Sequence, residues 1–208
     1  MSYTKVPKYK IDPWTKLTRK EAAEYEKNIL IRLNKNFECI CKKKKDNHFP
    51  TFCKIITCTA KGERNLGLAL ELSDCGENLR RIGYEKKEDL KNIDDIEDQI
   101  DCIVYNMKKS NIIQLDIGYS GNNLCVKNGT LFMIDFGQGV MDKIVINEFF
   151  KNALKNEIFG EHYYTLLKEQ LLWIVKNSGP ELSNTNCRIT SRRANKRILD
   201  VLKSLKKQ

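Results

Sequence analysis

Glycine is missing from the N-terminal part of this chain, since all 11 glycines lie at or after Gly62. A glycine-rich phosphate-binding loop is therefore excluded from residues 1–61. Long apolar runs are missing as well: no stretch approaches the length of a membrane span, and the opening MSYTKVPKYK has no apolar segment of the signal-peptide type. We therefore expect a soluble, intracellular protein of the cytoplasm that does not enter a membrane.

Cysteine is present in eight copies, but no two of them form a CxxC pair. Cys102 and Cys125 lie inside apolar runs, which is typical of small buried thiols. A disulfide framework is not expected in a chain without a secretory signal. A zinc cluster can be drawn from Cys39, Cys41, His48, Cys53 and Cys58. Their spacings match no common zinc finger, so the sequence favours reduced, buried thiols over a metal.

The composition excludes a chain that is disordered throughout, because 41% of the residues are hydrophobic and 31% are charged. There is no internal repeat and no low-complexity linker. A chain of 208 residues can bury about 70% of its unfolded surface in one core. We therefore expect one compact unit.

Positive charge collects at the two ends of the chain. The formal balance is +8 over residues 1–45, −5 over residues 46–187 and +7 over residues 188–208. Basic ends of this kind could bind nucleic-acid phosphates or an acidic protein surface. The most basic runs, 42–45 and 188–197, contain no aromatic residues for base stacking. A solvated surface is therefore favoured over nucleic-acid binding.

A β-hairpin is predicted in the middle of the chain. Residues 124–126 and 131–134 are short apolar strands, and Asn128-Gly129 between them is the dipeptide that a two-residue type I′ turn prefers. Pairing of the two strands brings Asn123 beside Asp135.

The polar side chains around this hairpin suit phosphoryl transfer. Asp116 can orient a hydroxyl nucleophile, while Asn123 and Asp135 can supply hard oxygen ligands for Mg²⁺ bound to a nucleotide. Three oxygen-bearing side chains would then converge on one phosphate.

The same residues resemble an ordered set of motifs of the eukaryotic-type protein kinase family. Asp135-Phe136-Gly137 is the metal-binding DFG motif, residues 123–126 resemble the Asn-Ile-Leu-Val run, and Asp116 stands at the catalytic aspartate. Gln114 stands where the family usually has histidine. The loop after Asp116 is two residues longer than in the family, which leaves Asn122 as the alternative metal ligand.

The resemblance continues upstream of the hairpin. Residues 24–30 resemble the regulatory helix, in which Glu26 is the best-placed glutamate. Its lysine partner should lie on an earlier strand, and we expect Lys10, in the strand-like segment 8–11. Glu71 lies in a segment that resembles the strand entering the hinge, which implies a place among the nucleotide-binding residues.

The resemblance implies an α+β, protein-kinase-like fold with two lobes. A reduced N-terminal lobe of a few strands and one helix would span residues 1–73. A mainly helical C-terminal lobe with the catalytic hairpin and a basic last helix would span residues 74–208. The resemblance also implies strands at 54–56 and 66–72, and apolar spacing predicts helices at 93–107, 145–156, 162–176 and 191–205.

The implied activity is that of a minimal serine/threonine protein kinase with ATP and Mg²⁺ as cofactors and a protein as substrate. Asp116 would orient the substrate hydroxyl, Asn123 and Asp135 would hold Mg²⁺, and Lys10 with Glu26 would hold the phosphates. The missing glycine-rich loop and the missing Ala-Pro-Glu motif favour an alternative, a truncated kinase-like (pseudokinase) binding protein that regulates another kinase or signalling protein. A partner protein could complete or regulate the small lobe. A kinase acting on a small molecule is less favoured.

Overall fold

The computed structural model describes residues 2–5, 17–43, 46–60, 63–79, 95–114, 122–141 and 161–177. Within these ranges the architecture is mixed α+β, with three helices and three small antiparallel sheets, so the predicted α+β class is confirmed. The helices are α1 (Arg19–Asn36), α2 (Ile96–Lys109) and α3 (Glu161–Asn177). In the part of the chain that the structure describes, no helix is long and apolar enough to cross a membrane.

The first sheet consists of β1 (Ser2–Lys5), β2 (Phe52–Ala60) and β3 (Glu63–Ser73), with β3 in the centre. Both outer strands run antiparallel to β3, and Lys5 at the end of β1 pairs with Leu70. Residues that pair in this way point to the same face of a sheet. The side chain of Lys5 therefore lies on the face to which the buried Leu70 belongs.

Helix α1 begins with a capping box. The Thr18 hydroxyl accepts a hydrogen bond from the Glu21 N–H, and the Glu21 carboxylate accepts one from the Thr18 N–H. Two backbone donors that the first turn would leave unpaired are thereby satisfied. The buried face of α1 packs against β2 and β3 and contains Ala23, Glu26, Ile29, Leu30 and Leu33. Because these residues recur at spacings of three and four, they share one face of the helix, and Glu26 is buried on that face.

The second sheet contains the predicted hairpin. Strands β6 (Leu124–Lys127) and β7 (Thr130–Met133) pair around the Asn128-Gly129 turn, and the short β4 (Glu77–Asn78) pairs with β6. Asn128 has a φ of 52° and Gly129 a φ of 75°. Two positive φ angles are what a type I′ turn requires, so this prediction is confirmed.

Helix α2 lies in the hydrophobic core, where Ile100 and Ile103 are fully buried. It contacts α1, α3 and β7. Its buried Gln99 binds the hairpin directly: the Oε1 atom accepts from the Leu131 N–H at 2.7 Å, and the Nε2 atom donates to the Gly129 carbonyl at 2.9 Å. The hairpin is therefore held in place by a polar side chain of the core.

The third sheet pairs β5 (Ile112–Gln114) with β8 (Gly139–Met141). Two tyrosines of α3 anchor β5. The Tyr163 hydroxyl accepts from the Gln114 N–H and donates to the Gln114 carbonyl, both at 2.8 Å, and the Tyr164 hydroxyl donates to the Ile112 carbonyl at 3.1 Å. Helix α3 thus fixes the strand that precedes the predicted catalytic loop.

Four predicted elements correspond to helices or strands of the structure and are confirmed, the third of them from residue 96 onwards, since residues 93–94 lie outside the described ranges: 54–56, 66–72, 93–107 and 162–176. Three others lie outside the described residues: 8–11, 145–156 and 191–205. Strand β1 is an addition to the predicted set, and it supplies the most important side chain of the candidate site.

Gly76 is the position next to β4 where a side chain should be least tolerated. Its φ is +83°, and a Cβ there would lie 2.2 Å from the Val126 carbonyl oxygen. Gly76→Ala therefore combines left-handed strain with a backbone clash, and we expect the free energy of unfolding to fall by about 2–4 kcal/mol in urea denaturation. Gly129→Ala, which brings left-handed strain to the hairpin turn, is the control, with a loss of about 1–2 kcal/mol. Equal losses would contradict the clash.

Candidate active site

Lys5 is the centre of a cluster of three charged side chains. Its Nζ atom lies 2.6 Å and 2.5 Å from the two carboxylate oxygens of Glu26, and 2.6 Å from Oδ1 of Asp135. These residues come from β1, from α1 and from the segment after β7. One ammonium group therefore connects three elements that are distant in the sequence.

The backbone around Asp135 aims this carboxylate at Lys5. Asp135 has a φ of 62°, a left-handed conformation that non-glycine residues seldom adopt and that often occurs at functional sites. The next residue, Phe136, donates its N–H to Oε1 of Glu26 at 2.8 Å. Its fully buried ring packs against Phe49 with the ring centroids 6.0 Å apart. The turn after Asp135 is thus fixed by one hydrogen bond and one aromatic anchor.

Gly137 leaves one side of the cluster uncovered. A Cβ at this position would lie 3.4 Å from Asp135 Oδ1, 3.6 Å from Lys5 Nζ and 3.7 Å from Glu26 Oε2. A larger side chain would therefore come close to all three charged groups. Its absence leaves this side of Asp135 uncovered, and the Asp135 side chain is 44% exposed.

Gln114 links β5 to the same turn. Its buried side chain donates from Nε2 to the Asp135 carbonyl at 2.5 Å. Because Tyr163 holds the backbone of Gln114, α3, β5 and the Asp135 turn form one connected unit. Asp116 follows two positions after Gln114 and lies outside the described residues.

The charges within the cluster depend on one another. Burial raises the pKa of Glu26, and although Lys5 opposes this effect, the carboxylate of Asp135 adds to it. Burial disfavours the charged form of Lys5, but the two carboxylates outweigh it, so the pKa of Lys5 is raised above 10.5. Near neutral pH the charge on Lys5 therefore stabilises the fold, and this contribution is lost as the pH rises through the folded-state pKa.

Asn123 lies at the entrance of the hairpin, as predicted. Its carbonyl accepts a hydrogen bond from the Ile134 N–H at 2.9 Å, which puts Asn123 across from the residue that precedes Asp135. Its side chain is buried. The neighbouring Asn122 is exposed, and its carbonyl accepts a hydrogen bond from Asn78. Hairpin pairing therefore brings Asn123 next to the strand end that carries Asp135.

Glu71, another residue predicted for the site, is not part of the cluster. Glu71 is bonded elsewhere, since its carboxylate accepts from the Ser2 hydroxyl at 2.8 Å and pairs with Lys54 at 3.3 Å. Its neighbour in β3, Leu70, shares the Lys5 face, so strand alternation puts the Glu71 side chain on the opposite face of the sheet.

Lys10 lies outside the described residues, and Lys5 forms with Glu26 the ion pair that is expected of Lys10. A signal for Lys5 is present in the sequence. Tyr3 and Thr4 have high β-propensity, and Pro7 marks the end of a strand. A strand that ends just before Pro7 would have made Lys5 the candidate.

Chemically, the cluster combines one cation with two carboxylates of different exposure. The side chain of Glu26 is 4% exposed and that of Asp135 is 44% exposed. Glu26 can therefore hold the Lys5 ammonium in place, while Asp135 can also reach a ligand. An ammonium group beside an accessible carboxylate can bind an anion together with a hard divalent cation.

Comparison of the sequence with protein-family models and with curated proteins finds no match. The function of the chain must therefore be inferred from its residues and their geometry.

Lys5→Met would leave the Glu26 carboxylate buried without its cation. We expect the free energy of unfolding at neutral pH to fall by about 3 kcal/mol. Lys54→Met is the matched control, because Lys54 belongs to the same sheet and pairs with Glu71, but its side chain is 65% exposed. This control should lose less than about 1 kcal/mol. Similar losses in the two variants would show that the cluster does not depend on a buried ion pair.

The Lys5→Met variant also has an expected pH signature. Without Lys5, the pKa of Glu26 should rise further, and a carboxyl group with a raised folded-state pKa favours folding when it is protonated. The stability deficit relative to wild type should therefore shrink as the pH falls from neutral towards 4.5. The double variant Lys5→Met/Glu26→Gln should lack this dependence. A deficit that does not change with pH would contradict the assignment.

Proposed function

We propose that this chain is a minimal serine/threonine protein kinase, which transfers the γ-phosphate of ATP to a protein hydroxyl in the presence of Mg²⁺. One observation carries the proposal: Lys5 is held between Glu26 of a helix and Asp135 of an Asp-Phe-Gly sequence. The kinase resemblance implies an ion pair of this kind beside that aspartate. In this proposal the fold is kinase-like, with a small lobe over residues 1–73 and a large lobe over residues 74–208.

The residues of the cluster suit the binding and orientation of a nucleotide. The Lys5 ammonium has three N–H donors and would hold the α and β phosphates. Glu26 keeps this ammonium in position, because Glu26 is itself buried and accepts the Phe136 N–H. Asp116 would orient the substrate hydroxyl and accept its proton.

The oxygen donors near Asp135 fit Mg²⁺. Carboxylate and amide oxygens are hard ligands of the type that Mg²⁺ prefers, and Asp135 and Asn123 would hold the ion, with Asn122 as the alternative. Asp135 uses Oδ1 for Lys5, yet its side chain is 44% exposed, and Gly137 leaves that side open. Bound Mg²⁺ would neutralise the negative charge on the phosphates.

Asp135→Asn tests the proposal while preserving the shape of the side chain. With γ-labelled Mg-ATP, we expect the wild type to label itself or a basic test protein. In the variant the labelling rate should be at least about 100-fold lower, because the variant lacks the negative charge that would hold the metal. Asp101→Asn is the matched control, since Asp101 is 42% exposed and pairs with Lys168 on α3. It should retain wild-type activity. Labelling by Asp135→Asn at the wild-type rate would refute the assignment.

A second function, that of a kinase-like binding protein, is favoured by a different feature of the same cluster. The Lys5 ammonium makes three hydrogen bonds to carboxylate oxygens. Three bonds satisfy all three of its donors. The cluster could therefore brace β1 against α1 and the Asp135 turn without any nucleotide. Such a protein would dock on another kinase or signalling protein.

Nucleotide-dependent stabilisation distinguishes the two functions. A ligand that binds only the native state raises its stability, by about 2.7 kcal/mol at a concentration 100 times its dissociation constant. For the kinase we expect Mg-ATP to raise the melting temperature of the wild type, and the Mg²⁺-dependent part of this shift to disappear in Asp135→Asn. Asp101→Asn should behave as the wild type does. The absence of any shift at millimolar Mg-ATP would favour the binding protein.

A further inference from the structure

A second cluster of reactive side chains lies away from Lys5. The Sγ atoms of Cys39, Cys41 and Cys102 all lie within 4.8 Å of one another, and His48 Nε2 lies 3.2 Å from Cys41 Sγ. We propose that these four side chains form a Zn²⁺ site with three thiolates and one imidazole. Zinc bonds of about 2.3 Å to sulfur and 2.0–2.1 Å to nitrogen put the ligand atoms of a tetrahedral site roughly 3.5–3.8 Å apart. The three sulfur atoms need to contract only slightly around the ion, whereas His48 Nε2 is close to Cys41 but not within 4.8 Å of all three sulfurs and would have to move towards them.

Three separate segments supply the ligands. Cys39 and Cys41 follow α1, His48 precedes β2, and Cys102 belongs to α2. Cys41 is 6% exposed, whereas Cys102 and His48 are fully buried. Four protein ligands complete a tetrahedral shell, which is typical of structural rather than catalytic zinc. The ion would therefore cross-link the segment after α1 to α2.

The ring of His48 is oriented as a metal ligand should be. Its Nδ1 atom lies 2.8 Å from the Leu131 carbonyl oxygen. A carbonyl can only accept, so Nδ1 carries the proton and Nε2 keeps its lone pair, which faces Cys41. Zinc-bound histidines commonly have their second nitrogen fixed by a backbone carbonyl in this way.

Cys102 lies beside Asn106 and Glu38. Asn106 Nδ2 lies 3.5 Å from Cys102 Sγ, and the Cys102 thiol donates to the Glu38 carbonyl at 3.8 Å. Asn106 further accepts from the Glu38 N–H at 2.7 Å and donates to the Glu38 carbonyl at 2.8 Å. The segment that carries Cys39 and Cys41 is thus bound to α2.

The zinc cluster that can be drawn from the sequence alone is a different one, since it contains Cys53 and Cys58 together with Cys39, Cys41 and His48. Cys53 is exposed on β2 and does not belong to the thiol cluster, and the side chain of Cys58 lies outside the described residues. Cys102 takes part instead, because helix packing brings it to a CxC segment that is far away in the sequence.

Cobalt provides a direct test with the full, reduced chain. We expect one equivalent of Co²⁺ to produce the thiolate-to-cobalt charge-transfer band and the strong visible bands of a tetrahedral site, and Zn²⁺ to displace it. Cys102→Ser should abolish these bands, and His48→Gln should weaken Co²⁺ binding at least about tenfold. Cys53→Ser is the matched control and should bind as the wild type does. Absence of the bands in the reduced wild type would overturn the proposal, as would full bands in Cys102→Ser.

Alkylation of the wild type gives a second test that needs no variant. Zn²⁺ should slow the modification of Cys39, Cys41 and Cys102 by a maleimide, as mapped by mass spectrometry, and should leave the rate at the exposed Cys53 unchanged. Equal rates with and without Zn²⁺ at the three clustered thiols would overturn the site. A disulfide among them that persists under reducing conditions with Zn²⁺ would overturn it as well.

Discussion

The structure depends on one buried carboxylate, that of Glu26, which requires a cation beside it. Glu26 points into the protein from α1, and Lys5 satisfies it with two hydrogen bonds while making a third to Asp135. Removing either partner of such a pair leaves an uncompensated charge, which is far more costly than losing a surface ion pair. The same interaction therefore secures β1 on the fold. Both proposed functions, the kinase and the binding protein, rely on it.

Buried polar side chains hold the remaining elements in register around this pair. Four of them lie between elements that are distant in the sequence: His48, Gln99, Asn106 and Gln114. Each makes hydrogen bonds that specify one arrangement, because a buried polar group without partners is costly. Gln114 fixes the Asp135 turn, and Asn106 fixes the segment that carries two of the proposed zinc ligands. The proposed metal site would reinforce contacts that these side chains already make.

Prediction from the sequence succeeded where the determinants are local. The Asn128-Gly129 turn needs only two residues that tolerate positive φ, and the apolar spacing of α2 and α3 is contained within each helix. Prediction from the sequence did not identify Lys5 as the partner of Glu26. The stretch around Lys10 looked more like a strand, and Glu26 lies 21 residues from Lys5 in the sequence. The predicted zinc cluster was likewise assembled from residues that are close in the sequence. In the structure, the third cysteine beside Cys39 and Cys41 is Cys102, which belongs to α2.

The sequence by itself determined the elements and the types of chemistry available to them: an α+β chain, a hairpin flanked by Asn123 and Asp135, and an Asp-Phe-Gly turn. These follow from periodicity, turn preferences and the donor atoms of side chains, which act over a few residues. Only the tertiary structure decided which lysine meets Glu26, that the side chain of Glu71 faces away from the site, and which cysteines meet. Those pairings join segments tens of residues apart, and they are set by how the sheets and helices pack together.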